Sequence, residues 1–257
     1  MNKIFLLSVL LFSIFSCQEK SLKKDFIGNW STSSDDPNYD LNIDIQYFKD
    51  SAVMDNSLFI DTYSYQWEVK GSKIEGTILR NNGLFEQLNF VSDYKFSSNK
   101  DTLYIKNEND SMPYIRFLKI KNGYEYFQNK IGLNFKLPKT DKELKQIENR
   151  QFGFNVYIGY DDGKLIAKSD SYRPLNLNKI TPQAFASWIE QGHDTDYKNF
   201  QFNLFTDKNI NELKIDSIKD LLKSTPFKRV FRVYTNEKVN YEKTEWKDDF
   251  NWFGIYE

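Results

Sequence analysis

The sequence predicts an all-β domain followed by a small α+β domain, and three observations predict it. Short runs of period-two alternation joined by turn residues fill residues 25–121. The alternation then fails and charge gathers over residues 122–150. From Phe152 the alternation returns and later gives way to a period of 3.6. A side chain that recurs every second residue shares one face of a strand, and one that recurs every 3.6 residues shares one face of a helix.

Residues 1–24 precede the first domain. Lys3 gives a basic start, and residues 4–15 are apolar apart from Ser8 and Ser13, which is the build of a secretory signal. The run is shorter than the roughly 20 apolar residues that a membrane-spanning helix needs, and it turns polar at Gln18-Glu19-Lys20. Its end, Ile14-Phe15-Ser16-Cys17, resembles the lipobox of bacterial lipoproteins, although Phe15 is bulkier than that family prefers. The resemblance implies a signal peptide over residues 1–16, a lipid on the Cys17 sulfur, a tether over residues 17–24, and an envelope location. Gln18 is not the aspartate that holds some lipoproteins in the inner membrane, so the implied location is the outer membrane, on its periplasmic or surface face.

Composition narrows the function classes. The chain carries 35 Lys+Arg against 36 Asp+Glu, interleaved throughout, which argues against the clustered basic face of a nucleic-acid binder. Cys17 is the only cysteine, so no disulfide forms within the chain and packing must stabilise it. The chain is 17% aromatic, which gives packing ample material.

In residues 25–121, Leu41, Ile43, Ile45 and Tyr47 alternate with polar neighbours, as do Tyr63, Tyr65, Trp67 and Val69. Further strands are expected over residues 74–79, 84–91, 102–106 and 114–120, divided by Lys70-Gly71-Ser72, Asn81-Asn82-Gly83 and residues 97–101. Seven or eight strands joined by short turns suit an up-and-down meander, and closure removes its edges. Gly28-Asn29-Trp30 resembles the Gly-x-Trp motif that opens the first strand of lipocalins. That resemblance implies a lipocalin-like antiparallel barrel in which Gly28 and Trp30 are structural and Arg116 packs across Trp30. So many Phe and Tyr in short strands predict a filled interior.

Residues 122–150 read as a linker, with 141–150 a solvated segment or short helix. The domain at residues 151–257 opens with Phe152, Phe154, Val156, Ile158 and Tyr160 alternating, then the turn Asp161-Asp162-Gly163. Thr181 as N-cap, Pro182 at the first helical position, the apolar face of Phe185, Trp188 and Ile189, and a stop at Gly192 predict one helix. A strand at Phe200, Phe202 and Leu204 follows, then a helix over residues 211–224 and a strand over 227–235. The order is ββαβαβ, a two-layer sandwich with both helices on one face. With Leu137-Pro138-Lys139 upstream and Thr206-Asp207 before the second helix, it resembles the periplasmic domain of ExbD and TolR. That family has a transmembrane helix before Leu-Pro-Lys and this chain has none there, so the resemblance implies a fold and a binding role and no motor coupling. The tail, residues 236–257, carries Tyr241, Trp246, Phe250, Trp252, Phe253 and Tyr256 and is expected to pack on its own domain.

No catalytic, cofactor-binding or metal residue is assigned. His193 is the only histidine and has no second nitrogen or sulfur ligand to share a zinc ion. Asp207, Asn209 and Asn211 begin like an EF-hand loop, but Glu212 stands where its glycine must be, so they read as a cap before the helix. The pairs Asp35-Asp36, Asp161-Asp162 and Asp248-Asp249 fall in turns or the tail. The expectation is a non-catalytic envelope protein. It is tethered to the membrane by Cys17 and binds a protein, an extended peptide, peptidoglycan or a small apolar ligand, with weak homodimer formation through the edges of its second sheet. The alternative is an envelope hydrolase that acts on glycans or lipids through clustered carboxylates.

Overall fold

The alternating runs of the first half close on themselves. The computed structural model describes residues 22–32, 42–56, 61–79, 88–108, 111, 113–147, 153–170, 174–190, 199–247 and 251–257. The chain divides into two units, Met1–Lys121 and Asn122–Glu257. In the first, β1 (Gly28–Thr32), β2 (Ile43–Tyr47), β3 (Ser51–Asn56), β4 (Asp61–Lys70), β5 (Lys73–Leu79), β6 (Leu88–Phe96), β7 (Thr102–Asn107) and β8 (Ile115–Ile120) form a closed antiparallel barrel. β8 returns to pair with β1, Trp30 standing opposite Lys119. Two strands differ from expectation. β3 has little apolar alternation and is held by its hairpin with β2, and β6 extends past Val91 through the polar stretch Ser92-Asp93-Tyr94-Lys95.

Aromatic side chains fill the barrel. Phe26, Trp30, Tyr47, Tyr65 and Trp67 are all buried, together with Ile74, Leu103 and Phe117. A helical turn over residues 22–26 drops Phe26 among Tyr47, Trp67, Tyr94 and Phe96, with ring centroids 4.8–5.5 Å apart. The Trp30 indole N–H donates to the Phe26 carbonyl at 2.6 Å, and the Trp67 indole donates to the Phe48 and Ser51 carbonyls at the β2–β3 hairpin. Each large ring thus buries apolar area without orphaning its polar atom.

Arg116 does not take the place expected of it. In β8 Phe117 faces the core, so by alternation Arg116 faces outward, opposite outward-facing Tyr104. The cation over the Trp30 ring is Lys119, 5.2 Å from its centroid. Gly28 opens β1 at φ +128°, a backbone angle that side chains rarely adopt.

In the second unit the described part of the expected linker, residues 122–147, is structured. Residues Gly123–Ile131 form helix α1, with Asn122 as N-cap accepting from the Glu125 N–H and Gly132 ending it in the left-handed region. Downstream come β9 (Lys145–Gln146), β10 (Gly153–Asp161), β11 (Lys164–Lys168), α2 (Ile180–Glu190), β12 (Gln201–Thr206), α3 (Glu212–Lys223), β13 (Arg229–Val233) and β14 (Phe253–Tyr256). They make a six-stranded sheet in the order β11-β10-β12-β13-β14-β9, with β10, β12 and β13 parallel. α2 begins earlier than expected: Asn176 caps a 3-10 turn over Leu177–Lys179 that runs into it, leaving Thr181 inside the helix. Asn211 caps α3 as expected.

The sheet is covered on both faces, where a two-layer sandwich was expected. Phe154, Val156, Ile158, Phe202, Leu204 and Val230 pack with Ile180 and Ala184 of α2 and Ile215, Ile218 and Leu222 of α3. The alternate residues Tyr157, Phe205, Phe231 and Val233 pack with Tyr124 and Ile131 of α1, Leu133, Phe135 and the tail residues Tyr241 and Trp252. The tail therefore packs on its own unit and adds a strand to the sheet. At Gly159 that face is closed by Leu133 and Phe135, 3.3 Å from where a Cβ would be, and the Asn203 amide fills the space beside Gly153.

Candidate functional site

Two polar features of the second sheet differ in what they leave unspent. The first is a ladder across the β12 side. Tyr256 Oη donates to Gln201 Oε1 at 3.1 Å, Gln201 Nε2 to Asn203 Oδ1 at 2.8 Å, and Asn203 Nδ2 to Asn155 Oδ1 at 2.9 Å. Asn155 Nδ2 and Tyr157 Oη both end on Asp170, at 2.8 and 2.5 Å. Gln201 and Asn203 are buried, and their hydrogen bonds go to one another. A network satisfied within itself fixes strand register and has little to offer a ligand.

The second feature is a cleft of about 490 Å³ at the carboxyl ends of β12 and β13, the end at which open α/β sheets bind ligands. Its walls are built by backbone hydrogen bonds. Asp207, directly after β12, turns its carboxylate inward to accept from the Lys136 and Asn209 N–H groups at 2.8 Å each. The Lys208 N–H donates to the Lys136 carbonyl at 2.7 Å, and the Thr235 N–H, past the end of β13, donates to the Pro138 carbonyl at 2.9 Å. The extended segment over residues 133–140 is thus bound to both strand ends. Buried Phe135 and Leu137 point into the core, and Lys136 and Lys139 are exposed.

Lys136, Lys139 and Lys208 all line the cleft, and none of their ammonium groups has an ion-pair or hydrogen-bond partner among the described residues. Asn236 Oδ1 accepts from the Lys238 and Val239 N–H groups, and Asn240 Oδ1 from the Glu242 N–H, which commits the two amide oxygens and leaves the NH₂ groups. The Tyr124 hydroxyl donates to the Phe135 carbonyl at 3.1 Å, and Tyr241 accepts from the Phe253 N–H at 2.8 Å. Burial pushes both phenols well up, so they stay neutral. Glu242 is the one carboxylate in the lining.

Of the residues singled out in the sequence, Gly28 and Trp30 meet at the start of β1, and Arg116 stands apart on the outer face. Cys17, His193, Asp35, Asp36, Asp248 and Asp249 lie outside the described residues. Asp161 and Asp162 are exposed at the β10–β11 turn. Four carboxylates, Asp101, Glu212, Asp216 and Glu257, are displaced downward from their ordinary values. Hydrogen bonds from Thr102, Arg232 and Lys219 hold down Asp101, Glu212 and Asp216 respectively. Burial pushes Glu257 up, but Lys219 and Tyr234 outweigh it. A general acid requires the opposite displacement. Among the described residues no three His, Cys, Asp or Glu side chains gather where they could hold a metal ion, and no helix is long and apolar enough to cross a membrane.

Comparison with known proteins returns no relative. No family model matches the chain, and neither curated proteins nor solved structures show a match. The three lysines escaped the sequence reading because Lys208 is remote from Lys136 and Lys139 in sequence. The one local signal is the alternation Phe135-Lys136-Leu137, which turns Lys136 outward.

Proposed function

We propose that this is a lipid-anchored cell-envelope protein with a non-catalytic binding or scaffolding role, and that the second unit does the binding. In this reading Cys17 carries the lipid, in the outer membrane. The barrel is lipocalin-like, and the ββαβαβ core is of the ExbD/TolR kind, elaborated by α1, β9 and β14. The partner is an envelope protein, an extended peptide or peptidoglycan. The edge strands β9 and β11, the latter beyond its bridge to Pro174, offer weak pairing between copies. The observation that carries the reading is the cleft at the strand ends, lined by three lysines whose ammonium groups have no partner among the described residues, while the barrel interior is taken up by its own aromatic rings. Its first test is the anchor. Two or more acyl chains give stable membrane attachment, so Cys17→Ser should abolish lipid labelling and release the protein from membranes. Unchanged fractionation would defeat the anchor. Retention of the protein by peptidoglycan or an envelope extract, without turnover of either, tests the binding role.

A further inference from the structure

We propose that the cleft at the carboxyl ends of β12 and β13 binds a phosphate-bearing ligand, gripped by Lys136, Lys139 and Lys208. The inference rests on the binding reading above and adds the ligand's chemistry.

Three observations carry it. The first is that three ammonium groups line one cleft without any described partner. A cleft lined mainly by one sign of charge concentrates ions of the opposite sign. The second is that a neighbouring carboxylate is committed elsewhere: Asp207, next to Lys208 in the chain, is buried and accepts from the Lys136 and Asn209 backbone N–H groups, so it does not hydrogen-bond the lysine ammonium groups. The third is the sign of what remains. Asn236 and Asn240 have committed their amide oxygens and keep only N–H donors, and the Tyr124 hydroxyl is engaged, donating its hydrogen bond to the Phe135 carbonyl. Apart from Glu242, the free side chains of the lining are cations and amide donors. A ligand made of acceptors and negative charge complements such a lining, and a phosphate supplies both. A volume of about 490 Å³ suits a group larger than one bare ion, such as a phosphomonoester, a diphosphate or a phospholipid headgroup.

The test uses the full chain with Cys17→Ser, so that its own lipid does not enter. Inorganic pyrophosphate is titrated by calorimetry, and binding to vesicles of phosphatidylcholine with and without phosphatidylglycerol is followed by flotation. The expected result is saturable pyrophosphate binding that weakens with added salt. It should fall roughly tenfold for each of Lys136→Gln, Lys139→Gln and Lys208→Gln, and rise for Glu242→Gln. The lysines are exposed, so these variants should keep the wild-type melting temperature. Pyrophosphate binding without flotation identifies a soluble phosphate as the ligand. Flotation that depends on phosphatidylglycerol and is displaced by pyrophosphate identifies a headgroup. No binding of either probe, or a triple variant that binds as wild type does, overturns the proposal. If peptidoglycan still retains the chain in that case, the binding reading stands and only the phosphate assignment falls.

Discussion

Trp30 concentrates in one residue what the barrel depends on. It is fully buried, its ring packs 5.8 Å from Phe96 under the Lys119 ammonium, and its N–H satisfies the carbonyl of Phe26. Trp30→Ala would empty the largest buried site and orphan that carbonyl, so we expect a loss of about 3–5 kcal/mol. A shift of the denaturation midpoint checks it, and an unshifted midpoint would contradict the burial. At this scale Gly28 and Trp30 could be read from the sequence because their meaning is local: a glycine where the backbone is unusual and a tryptophan two residues on. The cation across the ring could not be read. Lys119 and Arg116 are three residues apart, on opposite faces of one strand, and only the register of β8 on β1 chooses between them.

Among the elements, the strands with clean alternation, β2, β4 and β10, are found where expected, because one buried face is enough to specify them. Helix α1 was hidden although Tyr124, Phe127 and Ile131 recur at helical spacing, because that stripe is short and sits in a stretch read by its charge. Its caps were the signal available, Asn122 three residues before Glu125 and Gly132 just past the end. β14 was hidden because the tail gains its strand character only from its neighbours. Gly254 lies so close to the Arg232 carbonyl that a Cβ would collide with it. The tail also supplies a pH-sensitive tie. Glu257 sits 2.8 Å from the Lys219 ammonium of α3 and accepts from the Tyr234 hydroxyl at 3.0 Å. Although burial alone would raise its pKa, those partners hold it below the ordinary 4.5. A carboxyl with a lowered folded-state pKa stabilises the fold above its unfolded-state value, and that contribution is lost as pH falls through the folded value. We therefore expect stability to decline below pH 4.5, and Glu257→Gln to flatten the decline. Parallel pH profiles of the melting temperature for the two proteins check it, and an identical slope would remove the tie from the account.

For the whole molecule, the boundary decides what can stand alone. The charge of residues 122–150 suggested a linker, but charge there marks only the solvent side of a helix and a segment whose other side is buried. Tyr124, Ile131, Leu133, Phe135 and Ile147 belong to the core under the second sheet. A fragment that begins at residue 133 would lose α1 and bare Tyr157, Phe205 and Trp252, and each large side chain so exposed costs roughly 1.5–3 kcal/mol. Several such losses approach the whole stability of a domain, about 5–15 kcal/mol. We therefore expect residues 122–257 to fold alone with a cooperative transition and residues 133–257 to stay unfolded or aggregate. Circular dichroism melts of the two fragments check this. In the intact chain, limited proteolysis should cut near the 121–122 junction in preference to residues 123–147, since cleavage needs exposed backbone and the latter stretch has its backbone in a helix and in hydrogen bonds to both strand ends. If the fragment starting at residue 133 melted cooperatively at the temperature of the longer one, α1 would be an ornament on a sheet that holds itself together, and the lysine cleft, whose wall includes Tyr124, would have to be built without it.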